Sequence, residues 1–97
     1  MNVKNITLEQ LNSVIKTNNE QPMKRRALLI VRSALKDKGC NMEEISHDSV
    51  ERIISIRRKA EEAASNACMD TGDEVLFNTF VELDEALGQI PTLLFTQ

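Results

Sequence analysis

A single histidine and two cysteines are the side chains in this sequence best suited to bond-making chemistry. His47 could serve as a general base, and Cys40, His47 and Cys68 could be placed around a zinc ion. No known motif pairs His47 with a Ser or Cys nucleophile, and no Cys-x-x-Cys or paired His spacing completes a set of four zinc ligands. We therefore interpret His47 as a solvated first-turn residue and both thiols as chemically silent.

Adjacent carboxylates offer no better catalytic site. Glu61-Glu62 and Asp84-Glu85 are sequence neighbours, and neighbouring side chains on a helix diverge by about 100°, so they share neither a proton nor a metal ion. The glycines stand alone, without the Gly-rich pattern of a phosphate-binding loop. The sequence thus predicts a protein that is not an enzyme and that holds no cofactor and no metal ion.

Basic side chains are the remaining feature of the sequence that could support a function, and they are unevenly distributed along the chain. Positions 1–60 hold all 12 basic residues and seven acids, a net charge of +5, whereas positions 61–97 hold eight acids and no base. One surface therefore suits an anionic partner such as nucleic acid, unless the two ends neutralise each other in the fold. The candidate nucleic-acid-binding residues are Lys24, Arg25, Arg26, Arg32, Arg52, Arg57, Arg58 and Lys59.

Two of these cations have carboxylates at the spacing of helical ion pairs. Arg57 and Glu61 are four residues apart, as are Arg58 and Glu62. Exposed pairs of this kind stabilise a helix by only about 0.2–0.5 kcal/mol, so they would not prevent a polyanion from competing for the arginines. Intrahelical pairing and phosphate binding are both compatible with the sequence.

Helices must position these residues, and several helix ends are recognisable. Thr7 and Gln10 have the spacing of a capping box, and Pro22 suits the first position of a helix. Gly39 suits the end of a helix, and Ser46 is a good N-cap. No alternating run is long enough for a convincing strand. We predict an all-α fold, a single compact domain over 1–97 with four helices at about 8–17, 23–38, 47–68 and 73–88.

The two later helices have distinct apolar patterns. The second half of the third helix is rich in alanine, which would let a neighbouring helix approach closely. In the fourth helix the apolar residues recur at spacings of 4, 3, 4 and 3, the seam of a bundle helix. These are Leu76, Phe80, Leu83, Leu87 and Ile90. Gly88 and Pro91 are expected to close this helix and to leave 92–97 as a short apolar tail.

Five segments also match, in order and spacing, the pattern of one protein family. Residues 23–36 are similar to a helix of the form Arg-x-x-x-Leu-x-x-Leu-x-x-Ala-Leu-Lys, and residues 44–50 to a Leu-Thr-Asp-Glu-Glu-Val helix entry. Residues 57–63 are similar to Lys-x-Arg-Arg-Glu-Ala-x-Glu, Gly72-Asp73 to a Gly-Arg-x-Asp-Leu turn, and residues 87–94 to Leu-x-x-Tyr-Leu-Pro-x-x-Leu. Over roughly residues 8–94 the chain resembles the YqeY family.

The resemblance implies a function in tRNA handling. The family shares its fold with the tail domain of the GatB subunit of tRNA-dependent amidotransferase, which contacts tRNA. An accessory module without chemistry of its own would follow, with tRNA or a tRNA-handling enzyme as its partner. The chain departs from the family at Asp73, where the family has arginine, and at Gln89, where it has tyrosine. We expect only the family's N-terminal helical domain here, without the second domain that would follow Pro91.

A protein-interaction module is the alternative hypothesis. Such a module would be an adaptor, or a phage-type modifier or inhibitor of a host enzyme, and a homodimer formed through the tail belongs to the same class. Its candidate contact residues are Asp73, Glu74, Glu82, Asp84, Glu85, Leu93, Leu94 and Phe95. The sequence shows no secretory signal and no run of roughly 18 apolar residues, so we predict a cytoplasmic protein without membrane contact.

Overall fold

Four helices make up most of the described chain, as the sequence predicts. The computed structural model describes residues 4–96, apart from the side chains of Cys68 and Met69. The elements are β1 (Asn5–Ile6), α1 (Leu8–Thr17), α2 (Pro22–Asp37), β2 (Ile45–Ser46), α3 (His47–Thr71) and α4 (Glu74–Phe95). No helix among the described residues is both long enough and apolar enough to cross a membrane.

Local signals set the ends of α1 and α2. The Thr7 side chain accepts a hydrogen bond from the Gln10 amide while the Gln10 side chain accepts one from the Thr7 amide, which confirms the capping box. Pro22 occupies the first turn of α2. Beyond α2, Gly39 has φ of 70°, and the amides of Gly39 and Cys40 donate to the carbonyls of Lys36 and Leu35. This is a Schellman motif, which only a residue tolerant of positive φ completes without strain.

The starts of α3 and α4 are also capped by side chains. The Ser46 hydroxyl accepts a hydrogen bond from the Ser49 amide at 3.2 Å, as expected for an N-cap. Asp73 accepts one from the Leu76 amide at 3.0 Å and begins α4 directly after Gly72, whose φ is 77°. The chain therefore turns from α3 into α4 within two residues, which makes the two helices an antiparallel hairpin.

A two-stranded antiparallel sheet is an addition to the all-helical prediction. β1 pairs with β2, with Asn5 opposite Ser46 and Ile6 opposite Ile45. The Leu8 amide also donates to the Met42 carbonyl. Strands of two residues are too short for an alternating pattern to be visible in sequence. Their effect is to fasten the N-terminus to the segment that leads into α3, and to bury Ile6 and Ile45.

The core lies between α1, α2, the first half of α3 and the second half of α4. Its fully buried side chains of largest volume are Leu11, Leu28, Val31, Leu35, Ile45, Val50, Leu83, Leu87 and Ile90. The predicted seam of α4 is confirmed for its last three members, whereas Leu76 is exposed and Phe80 is half-buried. The α4 helix therefore enters the core only at Leu83.

The predicted end of α4 at Gly88 was wrong. The helix continues through Gly88 and Pro91 to Phe95. Leu94 and Phe95 are each only 2% exposed and belong to the core. Burial of these two side chains compensates for the hydrogen bond that Pro91 cannot donate, because burying a Leu or Phe contributes about 1.5–3 kcal/mol each.

The far end of the α3–α4 hairpin extends beyond the core. Within residues 62–82, which we call the arm, no described side chain is buried. The molecule measures 43 × 27 × 23 Å, and its long dimension is close to the roughly 37 Å expected for 25 helical residues such as those of α3. The end of α3 and the start of α4 thus extend beyond the core and pack only against each other.

Candidate interaction surfaces

Arg58 is one of the candidate nucleic-acid contacts, and the structure pairs it with a partner on another helix. Its Nε and Nη2 atoms donate to the two carboxylate oxygens of Asp84 at 3.0 and 3.3 Å. The hydrogen bonds of Arg58 thus go to Asp84 and not to Glu62, the partner that the interpretation as an intrahelical pair suggested. The hydrogen bond to Asp84 is the largest cause that raises the pKa of Arg58 above its ordinary value. Burial lowers this pKa by less than that bond raises it, and the negative charges of Asp84 and then Glu62 add to the rise.

Gly88 provides the space for this arginine. A Cβ atom built on Gly88 would lie 3.1 Å from Nη1 of Arg58, tighter than an ordinary van der Waals contact. Glycine in α4 therefore allows the guanidinium to lie against the helix backbone while it reaches Asp84, one turn earlier. The sequence pattern suggested a helix end at this glycine, but its role is to make room for a side chain.

Arg57 makes the predicted pair with Glu61, in an unexpected environment. Nε of Arg57 donates to Oε1 of Glu61 at 3.1 Å. Glu61 is only 5% exposed, and its Oε2 has no hydrogen-bond partner among the described residues. A carboxylate removed from water depends strongly on its one partner. Arg57 therefore supplies the hydrogen bond of a buried side chain and is not a free phosphate ligand.

The other six candidate cations differ in how they are engaged. Arg32 donates to Oδ1 of Asn12 on α1 at 2.8 Å. Lys24 lies in a cleft that Glu82 and Glu85 also line, so the opposite charges of the two chain halves meet there. The remaining four have no ion-pair or side-chain hydrogen-bond partner in the described part of the chain and are exposed. They are Arg25, Arg26, Arg52 and Lys59.

The candidate protein contacts are likewise divided. Asp73 caps α4 and Asp84 is paired with Arg58, whereas Glu74 is exposed without such a role. The predicted apolar tail was wrong as a contact surface, because Leu94 and Phe95 are buried and Leu93 packs against the core as the last turns of α4. The same burial leaves Leu94 and Phe95 with little exposed surface for a homodimer contact.

The arm tip carries two exposed apolar side chains, one that the sequence analysis did not name and one that it assigned to the seam of α4. Val75 is 79% exposed and Leu76 is 43% exposed, directly after Asp73 and Glu74. Throughout the arm there are five acids and no basic residue. The sequence signal was the apolar seam of α4, which continues past the point where the core ends. An acidic surface with an exposed apolar centre results.

A groove between α2 and α3 is the second apolar surface. Its volume is about 380 Å³, and Ile30, Ala34, Ile53, Ile56 and Ala60 form its apolar lining. The charged residues Asp37, Lys38 and Arg57 also line it. Ile56 is 62% exposed, which is unusual for an isoleucine in the middle of a helix.

His47 lies in a cleft of about 800 Å³ between β2, the start of α3 and the end of α4. Its ring meets Phe95 edge-on at 4.9 Å, and its Nε2 is 3.6 Å from the Glu51 carboxylate. His47, Asp48 and Glu51 could each offer a ligand atom to a metal ion, and these atoms all lie within 4.8 Å of one another. Lys4 in the same cleft and the positive end of α3 oppose a cation there. We therefore assign no metal site.

Comparison with known proteins found no matching family model, no similar curated protein and no similar solved structure. The resemblance to the YqeY family thus stays a prediction.

Proposed function

We propose that this protein is a non-catalytic binding module that contacts another protein through the tip of its arm. The exposure of Val75 and Leu76, directly after Asp73 and Glu74, is the observation that carries this proposal. Exposed apolar side chains beside one another, on a part of the chain that contributes nothing to the core, favour a contact surface over a structural role. Full burial of Val75, which is 79% exposed, would contribute up to about 1.5–3 kcal/mol, and burial of Leu76, which is 43% exposed, would contribute less than half of that.

Charge defines the kind of partner. The arm has no basic residue, so its field repels acidic surfaces and attracts basic ones. The partner is therefore a protein surface with an apolar centre and lysine or arginine at its edge. This proposal keeps the acidic fourth helix of the interaction hypothesis and replaces its apolar tail by the arm tip.

Site-specific photocross-linking tests the proposal. A photoreactive residue at position 75 should form an adduct with one defined protein in cells, whereas the same residue at exposed Glu9 on α1 should not. The adduct should disappear in the Glu74→Lys/Leu76→Asp variant and persist in the matched Arg25→Glu/Arg26→Glu variant. An adduct at position 75 that persists in the Glu74→Lys/Leu76→Asp variant would contradict the proposal.

Phosphate binding, to tRNA or in complex with a tRNA-handling enzyme, is a second proposal. It is supported by the absence of an ion-pair partner, among the described residues, for Lys24, Arg25, Arg26, Arg52 and Lys59. Titration with labelled tRNA at low and physiological salt is the test, because affinity for phosphates falls steeply with salt. Arg25→Glu/Arg26→Glu is the informative variant, since Arg57 and Arg58 are held in ion pairs. Binding that this variant leaves intact would contradict the proposal.

A further inference from the structure

An apolar stripe on the exposed side of α3 continues from the groove into the arm. Ile56, Ala60, Ala63 and Ala67 follow one another at spacings of 4, 3 and 4 residues and are all exposed. This is the repeat with which helices pack along a seam, and alanine allows close approach of the helix axes. Inside the described chain α2 reaches this stripe only at Ile56 and Ala60, through the groove. The stripe is therefore a helix-packing face without a helix on it.

Opposite charges stand at the two ends of this stripe. Arg52 lies one turn before Ile56 and Asp70 lies one turn after Ala67, and both are exposed. A helix that packs in parallel with an identical copy would place each of these charges beside its own kind. An antiparallel copy would place Arg52 of each copy beside Asp70 of the other.

The chain cannot cover the stripe with its own arm. The groove and the arm belong to the same uninterrupted helix, His47–Thr71, so the arm cannot fold back onto the groove. A second copy meets no such restriction. We infer that two copies of this chain associate through antiparallel packing of α3 on α3, so that residues 63–67 of each copy lie over the α2–α3 groove of the other.

The twofold arrangement fixes which residues meet. With the axis between Ala60 and Ala63, Ile56 of one copy lies opposite Ala67 of the other, and a large side chain meets a small one. Asp70 comes opposite the Arg52–Ile53 segment, which brings opposite charges together. The contact is the same on both copies and closes on itself, so it predicts a dimer and not a filament. It uses α3 and does not depend on the proposed contact at the tip of α4.

Sedimentation equilibrium of the purified full chain is the first test. We expect a mass near twice the chain mass of 10.9 kDa. The Ala63→Glu and Ile56→Glu variants should each shift the mass to that of one chain without loss of helical content, because both positions are exposed. Ser55→Glu adds the same charge on a neighbouring exposed position of α3 outside the stripe and should leave the dimer intact. Higher salt should weaken the dimer, since opposite charges are paired across it.

Two outcomes would overturn the inference. One is a wild-type chain that stays monomeric up to about 100 μM, where a dimer with micromolar Kd is well populated. The other is a dimer that survives both Ile56→Glu and Ala63→Glu, which would place the contact elsewhere. Neither outcome bears on the arm-tip proposal, because the cross-linking at position 75 is read out separately.

Cysteine cross-linking tests the orientation, in a Cys40→Ala/Cys68→Ser background. Chains with Ile56→Cys mixed with chains carrying Ala67→Cys should form a disulfide-linked pair. Ile56→Cys chains alone should not, because the two copies of position 56 are about 16 Å apart in the antiparallel register, as the helical rise over 11 residues requires. Efficient linkage of Ile56→Cys to itself would show a parallel arrangement and contradict the inference.

Discussion

Arg58 of α3 and Asp84 of α4 join the two long helices through two hydrogen bonds at the point where the arm leaves the core. The residues are 26 positions apart in sequence, and both oxygens of the carboxylate accept from the guanidinium. Leu83, beside Asp84, is the first residue of α4 that is fully buried. The pair therefore links α3 to α4 at the base of the arm, where the buried core ends.

The first prediction concerns the strength of this contact. A double-mutant cycle with Arg58→Ala and Asp84→Ala should give a coupling of about 1 kcal/mol, because a two-point hydrogen-bonded pair is stronger than a simple surface pair but partly screened by water. Urea unfolding of the four proteins measures it. A coupling free energy indistinguishable from zero would mean that the ion pair does not stabilise the fold and that helix packing alone brings the two side chains together.

The same pair has a defined dependence on pH. The hydrogen bond and the charge of Asp84 raise the pKa of Arg58, so folding favours the protonated guanidinium. The contribution of Arg58 is then fully present below the unfolded pKa and is lost only as the pH rises through the higher folded value. Between pH 6 and pH 9, roughly, wild type and Arg58→Ala should show parallel stability curves by urea unfolding. Curves that diverge strongly in this range would contradict the assignment.

The second prediction concerns the space at Gly88. A β-branched side chain there would push against Nη1 of Arg58, which a Cβ already approaches to 3.1 Å. In a Gly88→Val background the coupling between Arg58 and Asp84 should therefore fall toward zero. Gln89→Val, at an exposed neighbouring position of α4, serves as the matched control and should leave the coupling unchanged. An undiminished coupling in the Gly88→Val background would show that the guanidinium does not need this space.

The third prediction concerns the buried carboxylate of Glu61. Arg57→Ala should cost about 1–3 kcal/mol of unfolding free energy, because it removes the only hydrogen-bond partner that the described residues provide to this carboxylate. Arg57→Ala/Glu61→Leu should recover most of that loss, since an apolar pair needs no partner. Arg25→Ala, at an exposed and unpaired position, should change stability by no more than about 0.5 kcal/mol. A double variant as unstable as Arg57→Ala alone would contradict this explanation.

The fourth prediction separates the last turn of α4 from the arm tip. Phe95→Ala should destabilise the domain by about 3–5 kcal/mol, because the side chain is buried. Val75→Ala should change stability by less than about 0.5 kcal/mol, because the valine is almost fully exposed. Thermal unfolding of both variants measures the contrast. Equal effects would mean that the arm tip is part of the cooperative core.

The helix starts and turns were predictable because their causes are local. The capping box at Thr7, the proline start at Pro22, the glycine end at Gly39 and the N-cap at Ser46 each depend on residues within one helical turn. Helix α1 has the predicted bounds, and α2 differs from its prediction by one residue at each end. Free backbone amides at the start of a helix need a hydrogen-bond acceptor nearby, and that acceptor can be recognised from the sequence alone.

The two-stranded sheet and the end of α4 were not predictable in this way. Pairing of Ile6 with Ile45 joins residues far apart in sequence, over strands too short to show a period. Proline disfavours a helix at its own position, but α4 continues through Pro91 because this places Leu94 and Phe95 in the core. Only the packing of α4 into the core determines which of the two effects is larger.

For the candidate surfaces, sequence by itself determined the charge of each half, the apolar repeats of α3 and α4, and the absence of a recognisable catalytic motif. Tertiary structure decided which charges are free. In the folded chain Arg58 pairs with Asp84 and not with Glu62, and Glu61 is buried beside Arg57. Ile56 and Val75 remain exposed. The physical reason is that spacing along one helix defines its faces, whereas burial and pairing depend on which other helices cover those faces.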